Sequence, residues 1–225
     1  MAASIGSKVA TKLAQGYYRN MSSDHLPSPT TSTRAAAEGR ELTDPRTMRA
    51  LTHPVRLALL EVLLLEGPVT ATQAGELIDE PPNTCSFHLR QLAKYGFVEE
   101  AGPGPGRNRP WRLTSIGMHF SGVNADSETR LAARGLQRML LERYLARVQD
   151  FFENQSDYPP AWREASGASE FILHVSPDEL QAMNAEIATV LNRYRGRLED
   201  STLRPVDSAP VQALLFAYPL KTQKQ

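Results

Sequence analysis

Cysteine, net charge and long apolar runs are scarce or missing in this 225-residue sequence. The single cysteine, Cys85, excludes an internal disulfide and fits a reducing compartment. The 25 basic and 25 acidic residues cancel, so any binding of nucleic acid requires local clustering of positive charge. The sequence contains no run of about 18 apolar residues, so no membrane span is expected. Residues 1–20 also lack the apolar core of a secretory signal.

Sequence signatures of enzymes and of metal sites are also missing. There is no Gly-rich phosphate loop after a predicted strand and no nucleophile elbow. The histidines show no spacing typical of metal ligands; they are His25, His53, His88, His119 and His174. We therefore expect no catalytic activity, no cofactor and no metal site.

Residues 1–42 are expected to form a disordered extension. The stretch 23–34 is rich in Ser, Thr and Pro, which cannot bury enough surface to offset the entropy of the chain. A short basic helix before that stretch is the alternative, since Ile5, Val9 and Leu13 recur every four residues. Met21 could also be the start of the protein.

The segment 81–96 has the most informative pattern in the chain. Its first two residues are prolines, which suit a helix start, and its last is a glycine, which suits a helix end. Cys85, Leu89 and Leu92 recur on one helical face. The opposite side has hydrogen-bonding groups, positive charge and one aromatic ring: Asn83, Thr84, Ser86, Phe87, Arg90, Gln91 and Lys94. The pattern favours a helix that enters the major groove of DNA, and an ordinary amphipathic surface helix is the alternative.

Three helices are predicted before this segment. A short helix covers about 45–51, and a central helix that is apolar on most sides begins at Pro54. A third helix is capped by Thr70, and Gln73 completes a capping box. A capped helix, a tight turn and a second helix in series are typical of a helix-turn-helix domain.

A β-hairpin is predicted after the segment, with strands over 97–101 and 111–114. Between them, residues 102–110 are too rich in Gly and Pro for regular structure and form a wing. The residues of this hairpin that we expect to contact DNA are Arg107, Asn108, Arg109 and Arg112. Such a tip can contact the phosphate backbone or enter the minor groove. A flexible solvated loop is the alternative.

Residues 49–120 resemble the winged-helix domain of ArsR-type transcriptional regulators. The matching segments are Leu51-Thr52-His53-Pro54-Val55-Arg56, Ser86-Phe87-His88-Leu89-Arg90-Gln91-Leu92, Gly96-Phe97-Val98 and Arg109-Pro110-Trp111-Arg112-Leu113-Thr114. The resemblance implies a dimeric, sequence-specific bacterial DNA binder, often a repressor released by an effector, which acts in the cytoplasm at the nucleoid. Metal-sensing members have a pair of cysteines on the helix before the recognition helix. Residues 71–78 contain neither Cys nor His, so metal sensing is not expected and Cys85 should be a buried, inert thiol.

The chain beyond the hairpin is predicted to form one long helix over 126–154 and then a small α+β unit. That unit comprises a strand over 171–175, a helix that begins with a capping box at Ser176, and a strand over 211–218, with parallel or antiparallel pairing left open. We assign 126–219 to dimerisation or effector binding. The residues expected in a dimer seam are Met139, Leu140, Tyr144 and Val148. Packing of the long helix on the C-terminal unit of its own chain is the alternative.

The sequence therefore predicts a mainly α fold with a small β-hairpin, in which a winged helix-turn-helix domain over 43–120 precedes a long helix and an α+β unit. The expected function is that of a dimeric, sequence-specific transcriptional regulator, a repressor, with the helix over 82–95 in the major groove of double-stranded DNA. Base contacts are expected from Asn83, Thr84, Phe87, Arg90 and Gln91, and phosphate contacts from Ser86, Lys94 and the wing. A small-molecule effector of unknown identity is a further expected partner. A winged-helix module that binds protein instead is the alternative, which the outward Phe87 favours and the wing arginines oppose.

Overall fold

The computed structural model describes residues 39–102, 109–120, 122 and 125–221. The chain divides into two compact units, Met1–Arg163 and Glu164–Gln225. The first unit contains strand β1 (Arg40–Leu42), helices α1 (Pro45–Leu51), α2 (Pro54–Glu66), α3 (Ala71–Ile78) and α4 (Pro82–Lys94), strands β2 (Val98–Glu100), β3 (Trp111–Leu113) and β4 (Met118–Phe120), and helix α5 (Ser127–Glu153). A short helix, α6 (Pro160–Ala165), spans the division, and the second unit contains α7 (Pro177–Asn192) and α8 (Gly196–Glu199).

The helix starts follow the capping signals in the sequence. Asp44 caps α1 by accepting hydrogen bonds from two backbone N–H groups of the first turn, at 3.2 and 2.9 Å. Thr70 and Gln73 form the predicted capping box at α3, and Ser176 and Glu179 form another at α7. Each box pairs backbone donors that a helix start otherwise leaves without partners.

One apolar core joins α1–α5 to the hairpin. Its largest fully buried side chains are Met48, Leu51, Leu59, Val62, Cys85, Leu89, Leu92 and Leu136. Helix α2 is buried on most sides, as its apolar sequence predicts. Because Leu136 belongs to this core, the first half of α5 is part of the winged domain.

The predicted hairpin is present. Strands β2 and β3 pair antiparallel, with Glu99 opposite Arg112 and Glu100 opposite Trp111. Val69 adds a single bridge to Trp111, where the loop between α2 and α3 meets the hairpin.

A second, parallel pair of strands was not expected. Strand β1 pairs with β4, from Arg40 opposite Met118 to Leu42 opposite Phe120. The ordered chain therefore includes residues 40–42, which the sequence analysis assigned to a disordered extension, because β4 supplies hydrogen-bond partners for their backbone. Gly39 is also described, and residues 1–38 of that extension lie outside the described residues.

Helix α5 agrees with the predicted long helix and is capped by Asp126. The second half of α5 is also held to the domain. Its Arg143 and Arg147 both form ion pairs with Glu61 of α2. The three side chains are no more than 15% exposed. Burial lowers the pKa of Arg143, and the nearby Glu61 carboxylate opposes that shift. Packing and this ion cluster together fix α5 to the winged domain along most of its length.

The long helix has apolar residues on two opposite sides. Met139 and Leu140 pack against the core, and Tyr144 is half-buried on the same side. In the second half of the helix, four exposed apolar residues recur at i, i+4, i+7 and i+11: Leu141, Leu145, Val148 and Phe152. We call these four residues the outer stripe. Of the predicted seam residues, Val148 alone belongs to it.

The strands predicted in the second unit are wrong. Neither 171–175 nor 211–218 forms a ladder with any described strand, and the described residues of this unit are helical or irregular. A sequence rich in β-branched and aromatic residues gives only a propensity, and a strand also needs a partner. Both segments expose large apolar side chains, among them Phe171, Ile172, Val211 and Tyr218. Throughout the described part of the chain, every helix falls short of the length or apolarity required to cross a bilayer.

Candidate nucleic-acid interface

The helix-turn-helix depends on a close approach at Gly75. The backbone N–H of Glu80 donates to the Gly75 carbonyl at 3.0 Å, and Asp79 adopts a left-handed conformation with φ of 59°. A Cβ on Gly75 would lie 2.5 Å from the Glu80 carbonyl oxygen. Glycine therefore allows the turn to fold back against α3. Gly75 was not among the residues predicted to matter, although an isolated glycine in a predicted helix is a signal of close packing.

Helix α4 is fixed by one face and presents the other. Cys85, Leu89 and Leu92 are buried in the core. The opposite face is accessible over its whole length: Asn83, Phe87, Arg90 and Lys94 are exposed, and Thr84, Ser86 and Gln91 are half-buried. Phe87 is 54% exposed, so about half of its surface is available to a partner. The structure thus brings all the predicted contact residues of this helix onto one accessible surface.

Arg90 is held against its own helix. Its Nε donates to the backbone carbonyl of Ser86 at 3.1 Å, and its Nη2 donates to Ser86 Oγ at 3.0 Å. Ser86 therefore positions this guanidinium, in addition to the phosphate contact expected from the sequence. An exposed side chain held in this way loses less rotamer entropy when it binds a base.

The arginines at the base of the wing are paired with acids. Arg109 donates from Nη1 to Glu100 at 2.5 Å, and Arg112 donates from Nε to Glu99 at 2.8 Å. The hydrogen bond and charge of Glu100 raise the pKa of Arg109. The sequence predicted the arginines as contact residues but not their pairing with Glu99 and Glu100, which the strand register brings beside them. Arg107 and Asn108 lie outside the described residues.

Two histidines with their rings in tilted contact lie behind the outward face of α4. His88 is buried, and its ring centroid lies 4.3 Å from that of His53, the capping residue of α2. His53 Nδ1 accepts a hydrogen bond from the Val55 backbone at 3.3 Å. Burial, together with the neighbouring His53 and Arg56, lowers the pKa of His88 to about 4. His88 is therefore neutral at neutral pH.

Acidification is expected to destabilise the winged domain through His88. The folded pKa of about 4 lies below the ordinary value of 6.5, so the unfolded chain binds more protons between these two values. The stabilisation is complete above pH 6.5 and is lost as the pH falls toward 4, by a total of about 3 kcal/mol. Denaturant unfolding at several pH values between 4 and 6.5 measures the slope of the free energy of unfolding against pH.

Two variants separate His88 from other acid-sensitive groups. His88→Gln should flatten the slope, whereas His174→Gln, at an exposed position, should keep it. Equal slopes in the wild type and His88→Gln would show that His88 does not control the response to acid.

Cys85 is buried, as expected, and burial raises the pKa of its thiol to about 11. The thiolate, which is the reactive and metal-binding form, is therefore rare at neutral pH. Among the residues that the structure describes, no cluster of three or more His, Cys, Asp or Glu side chains could hold a metal ion.

Comparison with known proteins agrees with this geometry. Residues 51–101, from the end of α1 to just beyond β2, match the family model described as "Helix-turn-helix domain". The helices and hairpin of this region thus form a winged helix-turn-helix, a type of domain that binds DNA.

Two solved structures are similar to the chain. A transcriptional regulator homologue from Pyrococcus horikoshii OT3 is 24% identical over 41% of this chain and 84% of that one, with a TM-score of 0.27. A transcriptional regulator from Thermotoga maritima is 13% identical over 68% of this chain and 83% of that one, with a TM-score of 0.26. No curated protein sequence matches the present chain.

Proposed function

We propose that the protein is a sequence-specific transcriptional regulator of the ArsR type that represses as a dimer. The observation that carries the proposal is the accessible face of α4, where Asn83, Phe87 and Arg90 follow one another along a helix whose other face is fixed in the core. Arginine pairs well with guanine, asparagine with adenine, and an apolar ring with the methyl group of thymine. The hairpin lies next in the chain and supplies arginines for the backbone.

The outer stripe supports a second copy of this chain as partner. Its spacing is that of a coiled-coil seam, and soluble monomers seldom leave such a stripe in water. We therefore move the seam from Met139, Leu140 and Tyr144, which already contact their own chain, to the outer stripe. Two copies of α4 would then reach half-sites about 34 Å, or one DNA turn, apart.

The second unit is proposed to take part in association or in effector binding. Its exposed apolar residues in 171–175 and 211–218 support a role in contacts rather than in an independent core. A regulator of this kind would act at the nucleoid.

A protein-binding winged helix is the second candidate function, because Phe87 is exposed on the outward face. Selection of bound fragments from random double-stranded DNA separates the two functions. An enriched, two-fold symmetric motif supports the regulator. Failure to enrich any sequence, with no binding at low salt, would contradict it.

Arg90 and Lys94 are expected to contribute differently to DNA binding. Arg90→Ala should weaken binding to the selected site by about 1–3 kcal/mol and binding to random DNA little, because base contacts carry the discrimination. Lys94→Ala should weaken both equally and reduce the salt slope by about 0.9, the value for one lost phosphate contact. Fluorescence anisotropy over a salt series measures both effects. Equal losses on the two DNAs for Arg90→Ala would assign that residue to the backbone.

A further inference from the structure

The base of the wing contains as many acids as paired arginines. Glu99 lies opposite Arg112 in the β2–β3 ladder, and Glu100 reaches Arg109 just before β3. Their side chains are between 44% and 62% exposed, so all four groups are accessible to a phosphate backbone. Because successive strand residues point to opposite faces, the Glu99–Arg112 and Glu100–Arg109 pairs lie on opposite faces of the hairpin. Within the described part of the hairpin, the two arginines are neutralised by their own strand partners.

The exposed Glu–Arg pairs of the hairpin are weak, but their glutamates remain beside the arginines after a pair is broken. An exposed ion pair contributes little to stability, so a phosphate can replace the glutamate as the partner of each arginine. The carboxylate cannot leave, however, because it belongs to the neighbouring strand. The Debye length is about 10 Å at 0.1 M salt. The carboxylate stays within that distance of the incoming phosphate and repels it. Replacing glutamate by phosphate as the partner of an arginine therefore costs free energy. The replacement is completed only where other contacts hold the hairpin close to the DNA backbone.

We propose that Glu99 and Glu100 are specificity-determining residues, which keep Arg112 and Arg109 paired within the hairpin until α4 is seated on its own site. This inference rests on the proposed function. On random DNA, α4 makes no base contacts, and nothing holds the wing against the backbone strongly enough to complete the replacement. On the selected site, base contacts fix α4, the attached hairpin is held at the backbone, and both arginines bind phosphate. The acids thus lower affinity for random DNA more than affinity for the true site.

The double variant Glu99→Gln, Glu100→Gln tests the proposal by affinity and by salt dependence. Glutamine keeps the length and polarity of each side chain and removes the charge. Affinity for random DNA should rise about 10-fold or more at low salt, and affinity for the selected site should rise only about two- to three-fold. The salt slope on random DNA should steepen by about 1.8, because two further phosphate contacts form there at about 0.9 each. The slope on the selected site should stay the same.

A matched control changes net charge equally, away from the hairpin. Glu128 forms an exposed pair with Arg49 at 2.5 Å, and Glu41 is exposed on β1. The variant Glu41→Gln, Glu128→Gln should alter affinity for both DNAs by the same small factor and leave both slopes unchanged. Equal gains on the two DNAs for the hairpin variant, or an unchanged slope on random DNA, would overturn the inference while the proposed function stands. Absence of DNA binding by the wild type at low salt would instead refute the proposed function itself.

Discussion

The double substitution Leu145→Glu, Val148→Glu is expected to give a folded monomer. Both residues lie in the outer stripe and point away from the winged core, so glutamate there costs the chain little alone. In a dimer the same charges would be desolvated opposite apolar side chains. Affinity for a two-fold symmetric site should fall roughly 100-fold or more, because the second half-site no longer binds as part of the same molecule. Light scattering measures the mass, and anisotropy measures the affinity.

Controls on the same helix separate a lost interface from a damaged fold. Gln137→Glu, Gln149→Glu adds equal charge at exposed positions and should stay dimeric. Met139→Glu, Leu140→Glu should lower the unfolding midpoint instead, since those residues pack on the core. Circular dichroism should show the helix content of the stripe variant unchanged. A wild-type protein that is monomeric at micromolar concentration, or a stripe variant that remains dimeric, would rule out this seam.

Gly75→Ala is expected to destabilise the winged domain by about 3 kcal/mol, the upper end for overpacking. The added Cβ would meet the Glu80 carbonyl oxygen at 2.5 Å, and that atom belongs to the backbone of the turn and cannot rotate away. Relief requires α4 to move relative to α3, so specific DNA binding should fall more than non-specific binding. Denaturant unfolding and anisotropy on both DNAs measure the two effects.

The same substitution elsewhere provides the control. Gly135, in α5, has no heavy atom within 4 Å of a Cβ built on it. Gly135→Ala should therefore leave stability unchanged or raise it by up to about 1 kcal/mol, the difference in helix propensity. Stability of Gly75→Ala equal to that of the wild type would show that the turn tolerates a wider approach than the structure has.

The sequence predicted the helix-turn-helix well because its signals are local. Thr70 and Gln73 act within one turn of chain, and the two prolines before α4 restrict only their own neighbourhood. The parallel pairing of β1 with β4 escaped prediction, because it joins three-residue segments at opposite ends of the domain. The strand predictions for 171–175 and 211–218 were wrong for a related reason, because β-propensity does not specify which strand a segment pairs with.

The surface chemistry of the site was predicted only in part. Spacing placed the contact residues of α4 on one face, since helical periodicity is regular. In α5, however, two apolar stripes overlap in the sequence, and periodicity alone does not tell which one covers the core. The partners of Arg109 and Arg112 depend on the hairpin register, which a nine-residue wing does not fix by itself.

The ion cluster at Glu61 has a consequence for the spacing of DNA sites. One carboxylate binds Arg143 and Arg147, while Leu145 and Val148 lie on the other side of the same two turns of α5. Helix α2, which carries Glu61, packs directly on α4. In the proposed dimer, no flexible joint then separates the seam from either reading helix. Such a dimer would bind two half-sites only at one fixed spacing. A site with one base pair inserted between the half-sites should therefore be bound poorly.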